Sequence, residues 1–484
     1  MKDIRKRAAC ILAMMVMLAS CGKSEPEIDG IVAIDAVKNY EHKTRVEVAQ
    51  PTPDVDPPQP TGSTEPTPTG TLPVDDDFEE TNDTVYVAVS TLNLRKGPST
   101  DTEIVAKAVY GDSFTRVAKG KNGWDKLLYE EQEVYAFADY LSEKEIKKQS
   151  ATGLSGLIAD SKKKMKIVDT SKQIYSYDEM YADLLELTAA YPEQISCKDL
   201  TVTEDGRNVY CAVIGNPNAK KAVLIQAGIH AREYMTCMLV MNQLEFYLAY
   251  AKEATYAEKN VGDMLNQVAF YIVPMVNPDG IAISQYGLDG IQSASVRAKV
   301  QEWYQADKEA GRTNASLADY MKYWKANARG VDLNRNFSYG FREYGGFPAP
   351  SSQKYKGTFA GSETETAALI QLTEEVQPVL TISYHATGSV IYWDYGQTGK
   401  LRQRCEKMVE LIHFVNGNEI RYAASDKQDA AGYGDWCVME KGIPSATIEI
   451  GVGAAPLVIG EYSDIWERNA PLWAALADFA LSAE

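Results

Sequence analysis

Residues 222–233, with the sequence AVLIQAGIHARE, indicate both the fold of this chain and the position of its chemistry. The first eight of them, 222–229, form a nearly unbroken apolar run, which is typical of a strand buried on both faces of a parallel sheet. Two potential metal ligands, His230 and Glu233, follow at once. In open α/β sheets, ligands collect beyond the carboxyl ends of the strands, so we expect a site here.

Outward from this segment, apolar strands alternate with helical patterns over residues 171–482. Three further strands are predicted, at 268–276, 379–384 and 446–450. Helices are predicted at 235–250, 363–375, 401–414 and 470–482. A capping box of Ser176 and Glu179 begins an earlier helix. This alternation predicts an α/β domain with a mixed, largely parallel sheet that helices flank on both faces.

Polar residues accompany the ends of two more predicted strands. His385 closes one strand, Glu449 closes another, and the segment 330–337 reads GVDLNRNF. Because His230, Glu233 and His385 would converge at one edge of the sheet, they predict a His₂Glu zinc site with one position open for water.

The order of these motifs resembles that of the zinc carboxypeptidases of the carboxypeptidase A type, the M14 peptidases. The resemblance spans nearly all of residues 171–482. The motifs that carry it are HARE, NPDG (277–280), GVDLNRNF, SETE (362–365), SYHA and TIEIG. It implies one Zn²⁺ ion as cofactor, held by His230, Glu233 and His385, and a hydrolase that acts on peptides.

The same resemblance implies roles for neighbouring residues. Asp332 is expected to accept a hydrogen bond from a zinc-bound imidazole, and Glu449 to act as general base. Arg329 is the expected cation beside the oxyanion, although Ala328 occupies a second plausible aligned position. The residues expected to bind substrate, including its terminal carboxylate, are Arg232, Asn334 and Arg335.

Two positions depart from the family pattern. The family's mobile tyrosine falls near Lys427, so either Tyr433 takes that role or no residue does. The position before Asp435 that tunes side-chain preference in relatives is Gly434, which offers neither a charge nor an apolar wall. A polar insertion at about 281–320 is expected to form helices and a loop.

The chain has 484 residues and a formal net charge of −18, so several domains are expected and nucleic acid is a poor partner. The chain has four histidines: His230 and His385, which are expected to bind zinc, and two others, His42 and His413. The seven cysteines form no CxxC motif, which argues against a cysteine-based zinc or redox site. Cys197 and Cys211 flank a predicted hairpin turn at 204–207 and could pair, although the sequence does not fix the register.

The first part of the chain reads as an export signal and a spacer. Residues 1–20 combine a positive start with a short apolar run and lead into Cys21, which resembles the lipidation site of a bacterial lipoprotein signal peptide. An ordinary secretory signal with an incidental cysteine is the alternative. Residues 21–83, rich in proline and threonine, predict a disordered tether between a membrane and the folded domains.

Residues 84–143 contain short apolar runs separated by turns, which predicts a small all-β barrel. The run LNLRKGPS (92–99), then NGW and a closing ADYL, resembles a bacterial SH3 domain. That resemblance implies attachment to cell-wall peptidoglycan or packing beside a catalytic domain, while a barrel without a ligand is the alternative. Residues 144–170 are predicted as a linker, followed by the zinc carboxypeptidase domain over 171–482.

We therefore expect an extracytoplasmic, membrane-anchored zinc metallocarboxypeptidase that removes C-terminal residues from peptides. One alternative is a hydrolase of γ-D-glutamyl bonds in peptidoglycan stem peptides, and another is a non-catalytic wall-binding protein. Arg232 and Arg335 favour the first reading, because members that cut γ-D-glutamyl bonds often lack this full arginine set.

Overall fold

The structure, a computed structural model, describes residues 78–88, 91–99, 102–109, 111–144, 152–422 and 431–482. These residues fall into two compact units, one ending at 144 and one beginning at 152. The predicted signal peptide, Cys21 and the predicted tether up to residue 77 lie outside them. Within the described ranges, no helix combines the length and the apolar character needed to cross a membrane.

The first unit is an all-β barrel, as predicted. Its strands are β1 (Phe78–Val87), β2 (Thr91–Arg95), β3 (Ile104–Val109), β4 (Ser113–Gly120), β5 (Trp124–Tyr129), β6 (Gln132–Phe137) and β7 (Leu141–Ser142). They form one sheet in the order β3-β2-β6-β5-β4-β1-β7. The core holds the small and branched side chains that alternate along these strands, including Val85, Leu94, Leu127 and Val134.

The barrel begins before the predicted boundary at residue 84, because β1 starts at Phe78. The assignment of 78–83 to the tether is therefore wrong. Arg116 on β4 is only 5% exposed and donates to the carboxylates of Asp83 and Asp125. A buried guanidinium needs such partners, so Asp83 belongs to the folded barrel.

The second unit is built on one large sheet. Its strands are β8 (Ile195–Val202), β9 (Asn208–Ile214), β10 (Lys221–Ala227), β13 (Val268–Val273), β14 (Leu380–His385), β15 (Val390–Tyr392), β16 (Glu419–Arg421) and β17 (Ser445–Glu449). A separate hairpin joins β11 (Thr255–Tyr256) and β12 (Lys259–Asn260).

The sheet order is β16-β15-β17-β14-β10-β13-β9-β8. The four central strands β17, β14, β10 and β13 are parallel to one another, whereas β9, β8 and β15 join by antiparallel pairing. These four are the strands predicted from apolar runs, so the mixed, largely parallel sheet is confirmed.

Helices surround this sheet. They are α1 (Thr152–Ala159), α2 (Tyr177–Ala190), α3 (Met235–Tyr250), α4 (Val261–Leu265), α5 (Pro278–Tyr286), α6 (Ala294–Glu309), α7 (Leu317–Lys322), α8 (Thr364–Val376), α9 (Gly399–Asn416), α10 (Tyr433–Met439), α11 (Tyr462–Asn469) and α12 (Leu472–Ser482). The predicted capping box at Ser176 and Glu179 begins α2. Helices α5, α6 and α7 supply the structure expected in the polar insertion.

The helices bury both faces of the sheet. On one face, Leu224 of β10 shares a core with Leu369 of α8 and Trp436 of α10. On the other face, the ring centroids of Phe270 on β13 and Trp473 on α12 lie 5.9 Å apart. This double cover explains why the central strands are apolar along their whole length.

The predicted linker at 144–170 belongs to the second unit from residue 152 onward. Leu154 of α1 is fully buried. The Glu245 carboxylate, 1% exposed, accepts hydrogen bonds from the backbone N–H groups of 166, 167 and 168 at 2.6 to 2.9 Å. Because a buried carboxylate needs such donors, this lysine-rich stretch is held in place by its backbone.

Cys197 and Cys211 do not form a disulfide, and both are free. Strands β8 and β9 do form the predicted hairpin, in which Cys197 lies opposite Ala212 and Cys211 opposite Lys198. This offset of one residue puts the two sulfurs on opposite faces of the sheet.

Glu365, at the start of α8, makes the stability of this domain dependent on pH. Burial, together with the charges of Asp279 and Glu363, raises its pKa from 4.5 to about 7. Between these two pH values, Glu365 keeps its proton in the folded protein but loses it in the unfolded chain. The free energy of unfolding that this side chain contributes therefore falls as pH rises from about 4.5 to 7.

Glu365→Gln should therefore raise the free energy of unfolding at pH 8 by up to about 3 kcal/mol, with no gain below about pH 4.5. Denaturant unfolding at several pH values measures this. Glu374→Gln on the same helix is the control, because Glu374 is half exposed and pairs with Lys441. If both variants changed the free energy of unfolding equally across the pH range, the raised pKa of Glu365 would be contradicted.

Candidate active site

The three expected metal ligands meet at the carboxyl end of the central strands. After β10 the chain passes through Gly228, whose φ is +66°, to His230 and into a 3-10 turn that ends at Glu233. His385 is the last residue of β14, which pairs with β10 in parallel. The sheet thus joins ligands that are 152 residues apart in sequence.

The distances among these side chains suit a shared metal ion. The Nδ1 atoms of His230 and His385 lie 3.2 Å apart, and each lies 3.0 Å from a carboxylate oxygen of Glu233. A tetrahedral zinc with bonds of 2.0–2.1 Å separates its ligand atoms by roughly 3.4 Å. All three side chains are at most 5% exposed. Among the described residues, these three lie close enough together to hold one metal ion. The donor set therefore fits Zn²⁺.

Asp332 supports His230 from behind. Its Oδ1 atom is 3.3 Å from the Nε2 atom of His230, and its Oδ2 accepts the backbone N–H of Lys354 at 3.1 Å. Burial by itself would raise the pKa of Asp332, but the hydrogen bond and charge of His230 outweigh it and hold that pKa well below its usual value. An ionised Asp332 would keep the proton of His230 on Nε2, which leaves Nδ1 free to bind a metal.

Glu449 lies beside the metal ligands. It pairs with His385 in the register of β17 against β14, so both side chains point to the same face of the sheet. Burial raises the pKa of Glu449 from 4.5 to about 7, and the charge of Glu233 adds to the rise. A carboxylate with a pKa near neutrality is suited to accept and return a proton.

Cationic and amide groups line the same edge. The positive charge of Arg232 acts on Glu449, and that of Arg335 acts on Asp332. The Nε atom of Arg232 is buried and has no hydrogen-bond partner in the described part of the chain, whereas Arg335 donates from its Nη1 to the Asn334 carbonyl at 2.8 Å. Asn334 accepts the backbone N–H of Tyr433 at 3.0 Å, which fixes its carboxamide. The structure thus brings Arg232, Asn334 and Arg335 to the edge that carries the metal ligands.

Arg329, the expected oxyanion cation, makes its contacts elsewhere. Its side chain is 51% exposed and pairs with Glu363 at 3.2 Å and Glu204 at 3.7 Å. Among the described residues, the cation that pairs with the metal ligand Glu233 is Lys325, whose Nζ lies 3.8 Å from Glu233 Oε1 and whose charge also acts on Glu449. Lys325 could not be predicted from the family resemblance, because the resemblance implies an arginine in this segment.

The backbone around Lys325 is fixed to the loop that carries His230. The Asn277 side chain donates to the carbonyls of Ile229 and Ala326, and the Ala231 N–H donates to the Lys325 carbonyl. Asn277 belongs to the NPDG motif, so that motif joins the two loops.

Of the two positions considered for the family's mobile tyrosine, only Tyr433 lies within the described residues. Lys427 lies outside the described residues. Tyr433 is fully buried at the start of α10, and its hydroxyl is 2.9 Å from that of Thr373. A side chain enclosed in this core is not placed to move over a substrate.

The purified protein should bind one zinc ion per chain. Metal at a hundredfold excess over its Kd stabilises a fold by about 2.7 kcal/mol, so a chelator should lower the melting temperature. His385→Ala should contain no zinc and should not respond to the chelator. His413→Ala is the matched control, because that histidine lies on α9, where its ring nitrogen contacts the carbonyl of Asn418. Zinc retained by His385→Ala would contradict the ligand assignment.

Comparisons with known proteins agree with this geometry. The zinc carboxypeptidase family, peptidase M14, matches residues 180–452, which is more than half of the chain, and the bacterial SH3 domain matches residues 90–142. Gamma-D-glutamyl-L-diamino acid endopeptidase 1 of Lysinibacillus sphaericus is 29% identical over 303 residues, or 61% of this chain and 70% of that protein.

Carboxypeptidase B of Astacus astacus is 26% identical over 295 residues, or 57% of this chain and 86% of that protein. The crystal structure of thrombin activatable fibrinolysis inhibitor is similar in fold, with a TM-score of 0.51 and 18% identity, and the match covers 72% of this chain and 90% of that chain. By its motifs, its fold and its family match, this chain belongs to the zinc carboxypeptidase family of metallopeptidases and also carries a bacterial SH3 domain.

Proposed function

We propose that this protein is an extracytoplasmic zinc metallocarboxypeptidase that removes C-terminal residues from peptides. The observation that carries the proposal is the pair of guanidinium groups, Arg232 and Arg335, beside the metal ligands. The buried Nε of Arg232 has no partner in the described residues, and Arg335 lies next to Asn334, to whose carbonyl it donates. Such donors suit a carboxylate, which the guanidinium fork can bind in bidentate fashion.

The proposed roles of the residues follow from their positions. His230, Glu233 and His385 would hold the zinc ion, which would polarise the scissile carbonyl and acidify its water. Glu449, which lies beside His385 in the register of β17 against β14, takes a proton from the attacking water and returns it to the departing amine. Asp332 keeps His230 in the tautomer that leaves Nδ1 free. Arg232, Asn334 and Arg335 hold the terminal carboxylate of the substrate.

In this proposal, Lys325 takes the role that the family resemblance implied for Arg329. The negative charge that develops on the carbonyl oxygen needs a fixed cation nearby. Lys325 is 22% exposed at the metal ligands, and its backbone is held by Asn277 and its neighbours. The Arg329 guanidinium instead forms an ion pair with the carboxylate of Glu363 at the start of α8.

A second candidate is hydrolysis of the bond between γ-D-glutamate and a diamino acid in peptidoglycan. Two observations favour it: the relative from Lysinibacillus sphaericus bears that name, and a bacterial SH3 domain is present in the same chain. Membrane anchoring through Cys21 and attachment to the wall through the SH3 domain belong to the proposal for either substrate.

A matched substrate panel tests the proposed function. One α-linked peptide is offered with a free C-terminal carboxylate and with a C-terminal amide, beside a γ-D-glutamyl–diamino acid peptide of the same length. The carboxylate form should lose its last residue at least about tenfold faster than the amide, because only the carboxylate engages the arginines. Mass spectrometry identifies the products.

The panel also separates the alternatives. Cleavage of only the γ-D-glutamyl bond would overturn the general carboxypeptidase and support the second candidate. Glu449→Gln should bind zinc and cleave none of the peptides. A zinc-loaded wild type that cleaves none of them, yet binds purified peptidoglycan, would support a non-catalytic wall-binding protein.

Substitution of Lys325 tests its catalytic role. Lys325→Met keeps the length of the side chain but removes its charge, and should lower kcat by about a hundredfold or more while KM changes little. Lys325→Arg should recover part of the loss. Zinc content should be unchanged in both variants, which separates this role from support of Glu233.

Arg329→Met is the matched control. Its guanidinium is half exposed and bound to Glu363, so kcat should stay within about threefold of the wild type. A large loss in Arg329→Met together with an active Lys325→Met would reverse the assignment.

A further inference from the structure

The guanidinium of Arg335 lies against an aromatic ring. Its central carbon is 5.3 Å from the ring centroid of Tyr344, and its Nη1 donates to the Asn334 carbonyl at 2.8 Å. Tyr344 is only 5% exposed. A cation within about 6 Å of an aromatic face is attracted to it, and a guanidinium can also stack there. Two contacts therefore restrict the side chain that is proposed to bind the terminal carboxylate.

The backbone around Tyr344 fixes its ring in turn. The backbone N–H of Tyr344 donates to the Gly340 carbonyl at 3.0 Å, which closes a turn. Gly346 has a φ of +53°, and a Cβ atom at that position would lie 2.6 Å from Cε1 of Tyr344. The backbone at 346 thus packs against the ring, and a larger residue there would displace it.

Lys356 joins this turn to the segment that carries Arg335. Its Nζ donates to the carbonyls of Phe341 and Tyr344 at 2.6 and 2.7 Å, and lies 4.8 Å from the centroid of the Phe341 ring. The Lys356 carbonyl accepts the side-chain N–H of Asn336, the residue after Arg335, at 2.7 Å. One residue therefore contacts both the turn that carries the ring and the backbone beside the guanidinium.

The contact with Asn336 is part of a buried network. Asn336 is 0% exposed, its Oδ1 accepts the backbone N–H of Glu363 at 3.2 Å, and its Nδ2 also donates to Ser362 Oγ at 3.0 Å. Ser362 and Glu363 belong to the SETE motif, which has no part in the metal site. This motif anchors the backbone of the carboxylate-binding segment, and Lys356 extends the anchor to the turn with Tyr344.

The hydrogen-bond partners of Lys356 suit this position. Within the described ranges, its ammonium donates to two main-chain carbonyls rather than to a carboxylate. A carboxylate at this point would attract the guanidinium that the substrate needs. A lysine whose donors are satisfied by carbonyls holds the turn without introducing such a competitor.

We propose that Lys356 and Tyr344 are positioning residues, which hold the Arg335 guanidinium in the orientation that receives the terminal carboxylate of the substrate. The inference rests on the proposed function, in which Arg335 binds that carboxylate. A free arginine side chain has many rotamers, and a bidentate bond to a carboxylate requires one of them. Contacts that fix this rotamer in advance reduce the entropy that is lost when the substrate binds. Lys356 acts through Tyr344.

The carboxylate and amide peptides of the substrate panel test this role. Lys356→Met keeps the length of the side chain but removes its donors. It should raise KM for the carboxylate peptide by about tenfold, while kcat/KM for the amide peptide stays within about threefold of the wild type. The carboxylate-to-amide ratio of kcat/KM should therefore fall toward one. Lys356→Arg should recover part of the ratio, and both variants should still bind one zinc ion per chain.

Substitutions of the ring supply a second line of evidence. Tyr344→Leu should lower the carboxylate-to-amide ratio as Lys356→Met does, whereas Tyr344→Phe keeps the ring and should retain most of the ratio. Lys308→Met is the matched control, because its ammonium also lies over an aromatic ring, 5.4 Å from the centroid of Tyr304, but on α6. That variant should keep the wild-type ratio.

The outcomes separate positioning from mere support of the loop. A lower melting temperature with an unchanged carboxylate-to-amide ratio in Lys356→Met would overturn the inference and leave the carboxypeptidase intact. If Lys356→Met does not fold, the ratio in Tyr344→Leu decides in the same way.

A different result would mark failure of the proposed function. If the zinc-loaded wild type cleaves neither peptide, calorimetry of both peptides with wild type and Lys356→Met decides the positioning role. A binding preference for the carboxylate peptide that Lys356→Met loses supports the inference. The same preference in both proteins, or none in the wild type, overturns it.

Discussion

The site depends on one constraint, the placement of β14 between β10 and β17 with all three strands parallel. That arrangement brings three carboxyl ends to one edge and sets His385 beside Glu449. A slip of one residue in β14 would turn His385 toward the opposite face, where helices α3 and α12 pack. The metal ligands and the proposed base therefore require both strand order and register, which the apolar residues between them enforce.

This edge gathers buried charge that the fold would not otherwise tolerate. Glu233 and Asp332 are both less than 5% exposed, and an unpaired carboxylate at such a place costs several kcal/mol. Two buried carboxylates elsewhere meet the same cost differently, Glu245 with three backbone amides and Glu365 with a raised pKa. At the site the balance comes from the imidazoles, from Lys325 and from the metal that the ligand set fits.

The sequence was most informative where burial alone determines structure. The four central strands were predictable because strands covered on both faces are uniformly apolar. The strands β15 and β16 were not, since each has only three residues, which is too short to show such a pattern. The roles of Asp83 and Lys325 were not predicted for a different reason. Each side chain pairs with a charged residue that is distant in sequence, Asp83 with Arg116 and Lys325 with Glu233.

The same reasoning about burial applies to two polar residues on neighbouring strands below the site, Gln226 of β10 and Ser383 of β14. Much of this sheet face is apolar core around Leu224 and Trp436, where two polar residues without partners lower stability. A local rule broken without a compensating contact is expected at functional sites, and Gln226 and Ser383 break it directly under Glu449.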